Sequence, residues 1–269
     1  MVYQKDLSFL DQPEILQFAF PVALSSYYGL ENLPCSPSKA TDIHYVEVES
    51  GIRIGCGFWV KGKEYPSILY FHGNGETIGT YDEVALLYNE IGVNFFVADY
   101  RGYGLSNGMP TITNMISDAH PIFKAFKKII KRRNFKKSIF IMGRSLGSIP
   151  AIELAFHHQN DISGLIIESG SADDFRHLWE HLKDSEKEIL LNEENCLLNE
   201  MKIRRVKKPT FIIHGQKDSI VCAAEGKELF KNSGAKNKEI LIIPDADHNT
   251  IIGADQYFPK IKKFVEDYG

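Results

Sequence analysis

The chain has 269 residues, of which 43% are hydrophobic and 25% are charged. These fractions lie near the average for globular proteins and exclude global disorder and collagen-like structure. At this length we expect one large domain or two small ones, with a sizeable buried core. The formal net charge of −4 gives no electrostatic case for a nucleic-acid partner.

Cysteine usage and apolar run length indicate the cellular compartment. Four cysteines are scattered without a C-x-x-C pair, which argues against a zinc ribbon or a thioredoxin-like motif: Cys35, Cys56, Cys196 and Cys222. We expect free thiols in a reducing compartment, hence a cytoplasmic location. The start of the chain shows no basic segment followed by an apolar run, so no secretory signal is expected. No apolar stretch approaches the roughly 18 residues that span a membrane.

Short apolar runs alternate with helical patterns along the chain. The first two runs, 43–49 and 52–60, flank Ser50-Gly51 and predict an antiparallel hairpin. Six later runs lack strict polar alternation, which predicts strands buried on both faces of a parallel sheet. They are 67–71, 94–98, 138–142, 164–168, 210–214 and 239–243.

Helical periodicity fills the segments between these strands. Segment 82–91 ends before Gly92, which can serve as a C-cap, and 112–132 carries an apolar stripe that Pro121 should kink or restart. The last segment places Tyr257, Ile261, Phe264 and Val265 on one face. A hairpin leading into β-α units predicts a mostly parallel, doubly wound α/β sheet in a single domain over 1–269. Sites in such sheets lie at the carboxyl ends of the strands.

The most specific motif follows strand 138–142. Gly143-Arg144-Ser145-Leu146-Gly147 is a G-x-S-x-G sequence between a predicted strand and a predicted helix, as a nucleophile elbow requires. The turn would hold Ser145 in strained backbone geometry at a helix N-terminus, where developing negative charge is favoured. The alternative is a glycine-rich turn with a capping serine, and the flanking elements favour the nucleophile.

A serine hydroxyl needs a base that is itself held by an acid. Asp218 follows strand 210–214 and His248 follows strand 239–243, so the chain order is serine, aspartate, histidine. We predict that Asp218 fixes the tautomer of His248, which then takes the proton of Ser145. The alternatives are a loop Asx turn for Asp218 and an ordinary loop histidine for His248. Other carboxylates are rivals for the acid: Glu168, Asp245 and Asp247.

A glycine-rich turn, His72-Gly73-Asn74-Gly75-Glu76, follows strand 67–71. Such a turn can aim backbone N–H groups at an oxyanion. We predict an oxyanion hole made by the N–H groups of Asn74 and Leu146, with His72 and Gly73 shaping the loop. Gly73 and Gly75 are expected to border the substrate. The alternative is an ordinary strand-to-helix turn.

At these motifs the sequence resembles the α/β-hydrolase family. The matching segments stand in order along the chain: HGNG at 72–75, DYRGYG at 99–104, GRSLG at 143–147, HGQKD at 214–218 and DADH at 245–248. Together with Pro150, the amino-acid sequences of these segments are most similar to the Bem46-type subgroup, which includes protein-depalmitoylating thioesterases. The resemblance implies structural roles for Asp99 and Arg101 in a loop beside the site.

Residues 170–206 separate two predicted strands and suffice for a small helical cap. Within it, Phe175, Leu178, Trp179 and Leu182 could form an apolar face above Ser145 that suits an acyl chain. We expect Leu178 and Trp179 to contact the substrate. The alternative is that these side chains only pack the cap onto the body.

Two further signals have simpler explanations. Residues 177–181 match the H-x-x-E-H zinc-protease pattern, but so short a match arises easily by chance and lies in the predicted cap. The run 127–137 has seven basic residues among eleven and could contact anionic lipid or nucleic acid. At the end of a helix, such a run is more often a solvated face that opposes the macrodipole.

The sequence therefore predicts a serine hydrolase that needs no cofactor and no metal. Carboxylic esters lead as substrates, thioesters come second, and peptides third because no large second domain is visible. The expected partner is a small-molecule or acyl ester, without nucleic acid or integral membrane association; the oligomeric state is not indicated. A non-catalytic binding module would show no serine-directed labelling, and a zinc protease would show chelator-sensitive proteolysis.

Overall fold

A computed structural model describes residues 7–21, 39–173, 175–192 and 197–269, without the side chains of residues 18 and 176–178. Its strands are β1 Asp42–Glu49, β2 Ile52–Trp59, β3 Ser67–Phe71, β4 Asn94–Ala98, β5 Ile139–Arg144, β6 Gly164–Glu168, β7 Thr210–Gly215 and β8 Lys238–Ile243. They form one sheet in the order β1-β2-β4-β3-β5-β6-β7-β8. The first two pairs in this order are antiparallel and the others parallel, which confirms the predicted doubly wound sheet.

The helices lie between the strands along the chain. In the described residues the α-helices are α1 Pro13–Ala19, α2 Val84–Glu90, α3 Ile112–Arg132, α4 Ser148–His157, α5 Asp184–Leu191, α6 Asn199–Arg205, α7 Ala223–Asn232 and α8 Tyr257–Tyr268. Gly92 follows α2 with a φ of +82°, the left-handed conformation that a glycine C-cap adopts. The predicted C-cap is thus confirmed.

Helix α3 runs unbroken through Pro121, so of the two predicted effects, a kink or a restart, the restart does not occur. A proline inside a helix removes one backbone hydrogen bond and costs about 3 kcal/mol. The apolar stripe of α3 is buried on both sides of the proline, with Met115 and Ala119 before it and Ile122 and Phe123 after it. Burying each large apolar side chain contributes about 1.5–3 kcal/mol, so the stripe together outweighs the proline.

Side chains of the central strands alternate between two hydrophobic cores, one on each face of the sheet. In β3, Leu69 and Phe71 belong to the core under α3 and α4, whereas Ile68 and Tyr70 belong to the core under α2 and α8. Strands β4, β5 and β6 alternate in the same way. Burial on both faces explains why the sequence of these strands shows no polar alternation.

The topology brings four loops to one edge of the sheet. Strands β3, β5, β7 and β8 are parallel, so the loops that follow them begin at the same edge. From β3 the chain proceeds to β4 on one side and later to β5 on the other. The direction of winding therefore reverses between β3 and β5, where ligand sites of doubly wound sheets form.

Three further sequence features concern possible membrane spans, the cysteines and the basic run 127–137. Within the described part of the chain, no helix combines the length and apolarity needed to cross a bilayer. Cys56 and Cys222 are free thiols, while Cys35 and Cys196 lie outside the described residues. In the basic run 127–137, Lys127 forms an ion pair with Asp161 at 2.7 Å.

Candidate active site

The G-x-S-x-G turn between β5 and α4 holds its serine in a strained conformation. Ser145 has a φ of +52°, a region that residues other than glycine rarely adopt. A Cβ on Gly143 would lie 2.1 Å from the carbonyl oxygen of Gly147, and a Cβ on Gly147 would lie 2.1 Å from that of Phe71. Both glycines are therefore required by close backbone approach, as the motif predicts. The turn leaves Ser145 partly exposed at the carboxyl edge of the sheet.

Asp218 and His248 form a buried pair on the loops after β7 and β8. Nδ1 of His248 lies 2.7 Å from Oδ2 of Asp218, and each residue is only 6% exposed. Oδ1 of Asp218 accepts the backbone N–H groups of Ile220 at 2.9 Å and Val221 at 2.8 Å. Since a carboxylate only accepts, Nδ1 of His248 donates, and a neutral His248 keeps Nε2 as a proton acceptor.

The two rival acids beside His248 in sequence have other partners. Asp245 is exposed and pairs with Lys217 at 2.9 Å. Asp247 accepts the backbone N–H groups of Asn249 and Thr250, each at 2.9 Å, and these bonds lower the pKa of Asp247. Asp247 therefore shapes the loop that carries His248.

The third rival, Glu168, lies at the end of β6 and is fully enclosed. Burial raises the pKa of Glu168, against the effect of the neighbouring Arg144. Its carboxylate accepts Nε of Arg144 at 3.1 Å and the hydroxyl of Tyr257. Among these carboxylates, Asp218 is the one that the structure brings into hydrogen-bond contact with His248.

The turn after β3 is closed by the side chain of Glu76. The N–H of Gly73 donates to Oε2 of Glu76 at 2.6 Å, and the hydroxyl of Tyr81 donates to the same oxygen at 2.5 Å. The ring of His72 is buried, with Nδ1 lying 2.8 Å from the carbonyl oxygen of Gly73. His72 and Gly73 thus shape the loop, and Gly75 turns it with a φ of +76°.

The side chain of Asn74 is held from both sides. Its Nδ2 donates to the carbonyl oxygen of Ala19 at 2.8 Å, and its Oδ1 accepts the hydroxyl of Tyr103 at 2.7 Å. The end of α1 and the 99–104 segment therefore fix the orientation of the peptide unit that we expect to carry an oxyanion donor. Sequence reasoning missed both Ala19 and Tyr103, because neither contact is local in the sequence.

The 99–104 segment is anchored by structural contacts, in line with the resemblance. Asp99 accepts the N–H of Ile78 at 2.8 Å and that of Leu105 at 3.1 Å. Arg101 pairs with Asp118 at 2.7 Å and with Glu49 at 2.8 Å. These bonds tie the loop after β4 to the body of the protein.

The segment predicted as a cap contains a 3-10 helix, Arg176–His181, followed by α5 and α6. Phe175 and Leu182 are buried and Trp179 is partly exposed, whereas the side chain of Leu178 lies outside the described residues. Helix α6 joins the body through Lys202, whose Nζ lies 2.8 Å from Glu153 of α4. The second half of the segment therefore packs as part of the α/β body.

The H-x-x-E-H match lies in that 3-10 helix. At about three residues per turn, side chains four apart point about 120° away from each other instead of sharing a face. The side chain of His177 lies outside the described residues, and that of His181 is exposed. Among the described residues, no group of three or more His, Cys, Asp or Glu side chains could hold a metal ion.

Arg144, the variable residue of the elbow motif, is a buried charge that sequence reasoning did not single out. It is 9% exposed and hydrogen-bonds to Glu168, Glu76, Asn249 and the carbonyl oxygen of His248. Burial opposes its charge, but the two carboxylates outweigh burial and raise the pKa of the guanidinium. The available signal was an arginine at the end of a wholly apolar strand.

Comparisons with known proteins match the chain to hydrolases. The family model of the serine aminopeptidase S33 type of hydrolase matches residues 63–183. The human α/β hydrolase domain-containing protein 17B is 28% identical over 229 residues, covering 84% of this chain and 75% of the relative. The Pyrococcus furiosus esterase Pf2001 superposes with a TM-score of 0.67 at 18% identity, covering 84% and 92% of the two chains. A soluble variant of the Saccharomyces cerevisiae monoglyceride lipase gives 0.65 at 17% identity, covering 87% and 99%.

The chain shares the α/β-hydrolase fold with these solved structures, and the family model and the human relative support a hydrolase of that superfamily. The resemblance inferred from the five motifs is thereby confirmed.

Proposed function

We propose that the chain hydrolyses carboxylic esters through an acyl-enzyme, with Ser145 as nucleophile, His248 as base and Asp218 as its orienting acid. The observation that carries the proposal is the buried hydrogen bond between Asp218 and His248, on loops at the same sheet edge as the strained Ser145. The esterase and lipase among the solved structures with this fold support ester substrates for the chain.

The proposed reaction begins with attack of Ser145 Oγ on the ester carbonyl carbon, while Nε2 of His248 takes the hydroxyl proton. Asp218 stabilises the imidazolium that forms. The backbone N–H groups of Asn74 and Leu146 donate to the oxyanion of the tetrahedral intermediate. Collapse breaks the ester C–O bond, and His248 protonates the departing alcohol. His248 then deprotonates a water that attacks the acyl-enzyme, which releases the acid and regenerates Ser145.

Thioesters are the second candidate substrate class, because the same steps apply when a thiol leaves instead of an alcohol. The residues of the five motifs are most similar to those of the Bem46-type subgroup, which includes thioesterases, and this similarity supports thioester substrates. We place the substrate beside Gly73, Gly75, Trp179 and Leu178.

A cytoplasmic location also remains a prediction.

The test uses p-nitrophenyl esters from acetyl to palmitoyl and a fluorophosphonate probe of reactive serines. Ser145→Ala should lower kcat by at least about 10³-fold and abolish labelling. Ser148→Ala is the matched control, since its buried hydroxyl has no hydrogen-bond partner in the described structure. We expect that variant to keep near wild-type activity.

The chain length that gives the highest kcat/KM measures the acyl site. A parallel assay of acyl thioesters, read by release of the free thiol, separates the two substrate classes. Ester hydrolysis that survives in Ser145→Ala, or a wild type inactive on all esters and thioesters, would contradict the proposal.

A further inference from the structure

The guanidinium of Arg144 joins three chain segments that meet at the candidate site. Its Nε donates to Oε1 of Glu168 at 3.1 Å, at the end of β6. Its Nη1 donates to Oε1 of Glu76 at 2.5 Å, in the turn after β3. Its Nη2 donates to the carbonyl oxygen of His248 at 2.8 Å and to Oδ1 of Asn249 at 2.9 Å, in the loop after β8.

We propose that Arg144 is a positioning residue for the proposed reaction: it fixes the His248 loop and the Gly73–Glu76 turn relative to Ser145, its neighbour in sequence. This inference rests on the proposed function and assigns to the elbow a second task besides presenting the nucleophile. The bonds of Arg144 go to Glu168, Glu76, Asn249 and the carbonyl oxygen of His248, so it acts through His248 and the turn that carries Asn74.

The geometry of the site is specific for arginine. A guanidinium presents five N–H donors in a rigid plane, whereas a lysine ammonium is a single point of charge on a flexible stem. The three segments follow strands on both sides of β5, with β3 on one side and β6 and β8 on the other, and a planar fork can bond to all of them at once. The side chain is nine-tenths buried, so these bonds are shielded from competition by water.

Gly73 lies where the ion pair between Arg144 and Glu76 leaves no room for a side chain. A Cβ at Gly73 would lie 2.6 Å from Nη1 of Arg144 and 3.0 Å from Oε2 of Glu76. The N–H of Gly73 donates to that same Oε2 at 2.6 Å. The turn therefore carries a glycine where the arginine–glutamate pair passes closest to the backbone, and Arg144 braces the peptide units next to Asn74.

The charge of Arg144 also bears on His248. Titratable groups acting on Arg144 are Glu168, Glu76, Tyr70 and Tyr81, and those interacting with His248 are Asp218, His214 and Asp247. Replacing Arg144 by a neutral residue removes a positive charge near His248 and leaves two carboxylates unpaired. Both changes favour the imidazolium, so the acidic limb of kcat/KM should move to higher pH.

The experiment compares Arg144→Gln and Arg144→Lys with the wild type. We measure kcat, KM and the pH profile on a p-nitrophenyl ester, thermal unfolding, and the NMR titration of the His248 ring. His248→Asn identifies that ring signal by its disappearance. For Arg144→Gln we expect kcat to fall about 10- to 100-fold at little-changed KM, because small displacements of catalytic groups cost that much. The titration of the His248 ring should move to higher pH.

Arg144→Lys separates charge from geometry. It retains the positive charge, so the His248 midpoint should stay near the wild-type value. It cannot bond to three segments, so kcat should still fall at least fivefold. Should Arg144→Gln not fold, this loss in Arg144→Lys still supports the proposal, and wild-type kcat in Arg144→Lys overturns it.

Arg101→Gln is the matched control for a lost ion-pair network. Arg101 also pairs with two carboxylates and is similarly buried, but its partners Glu49 and Asp118 lie on β1 and α3. We expect lower thermal stability in this variant with no shift of the His248 titration. If Arg144→Gln shifts that titration no more than Arg101→Gln does, Arg144 is only structural and the proposal is wrong.

The NMR titration needs no turnover, so the two proposals can fail separately. A wild type that hydrolyses no ester or thioester contradicts the proposed function. In that case a raised His248 midpoint in Arg144→Gln still supports the coupling of Arg144 to His248, and an unchanged midpoint overturns it.

Discussion

Replacing Asp218 by asparagine tests the proposed triad with a change of almost no volume. The carboxylate has three sets of neighbours: Oδ1 accepts the N–H groups of Ile220 and Val221, Oδ2 faces Nδ1 of His248, and Nε2 of His214 lies 3.3 Å from Oδ2. An asparagine has only one carbonyl oxygen. Because the two backbone N–H groups can only donate, whereas the imidazole of His248 can donate or accept, that oxygen should face the backbone, which turns the amide NH₂ toward His248. His248 would then accept at Nδ1 and carry its proton on Nε2, so it could not act as a base for Ser145.

The size of the effect follows from the burial of the pair. The side chain of Asp218 is 0% exposed and that of His248 is 7% exposed. For charge centres about 4 Å apart and an effective dielectric constant of about 20, the lost stabilisation of the imidazolium is about 4 kcal/mol. That energy corresponds to about 10³-fold in rate, and the wrong tautomer extends the expected loss of kcat to between about 10³- and 10⁴-fold.

The assay is ester hydrolysis at several pH values, with thermal unfolding to verify that Asp218→Asn folds. Asp245→Asn is the control, because Asp245 also lies close to His248 in sequence but is exposed and paired with Lys217. We expect that variant to retain full activity. A folded Asp218→Asn protein with more than a tenth of the wild-type kcat would refute the assignment of Asp218.

Three further predictions concern the stability of the protein and the Gly73–Glu76 turn. Gly147→Ala should unfold the protein or destabilise it by more than about 3 kcal/mol in urea titration, since its Cβ would lie 2.1 Å from a backbone oxygen of β3; Gly253→Ala, with nothing within 4 Å, should be neutral. Burial alone would raise the pKa of Glu153, but Lys202 outweighs it and holds that pKa below its usual range. Glu153→Gln should therefore lower the free energy of unfolding by about 3 kcal/mol at pH 7. The difference in unfolding free energy between variant and wild type should shrink as the pH falls below 4.5, and a difference that stays constant with pH contradicts the ion pair. Tyr103→Phe should lower kcat about three- to tenfold with unchanged KM, because the side chain of Asn74 loses one hydrogen bond of about 1 kcal/mol from the Tyr103 hydroxyl. An altered KM alone would point to substrate binding instead.

The strands were predictable to within two residues because their burial leaves a simple trace in the sequence. Each of the six later runs became a strand with a parallel neighbour, and five of them are fully buried, since a segment buried on both faces must be apolar at successive positions. The sixth, β8, lies at the edge of the sheet and is mostly half-buried, so the predicted burial of 239–243 on both faces is wrong. The continuity of α3 through Pro121 was not predictable for a related reason. The local cost of Pro121 is visible in the sequence, whereas the packing that outweighs it depends on the distant strands beneath.

The candidate site was predictable where the chemistry demands fixed residue types at fixed places. A serine between two glycines at a strand-to-helix turn, and polar residues just after two later strands, are such places. The partners that hold these residues were not predictable. Arg144, Glu76 and Tyr103 reach the site across 24 to 105 residues of chain, through contacts that no sequence period encodes.

The sequence by itself thus determined the fold class, the elbow and the residues expected to carry the chemistry, because hydrophobic periodicity and backbone sterics act locally. The tertiary structure decided which carboxylate contacts His248, and that Glu168 is instead held by Arg144 and Tyr257. Several acids satisfy the same pattern along the chain. Only the crossover order of the strands places Asp218 beside the histidine and leaves Glu168 in the buried ion pair behind the elbow.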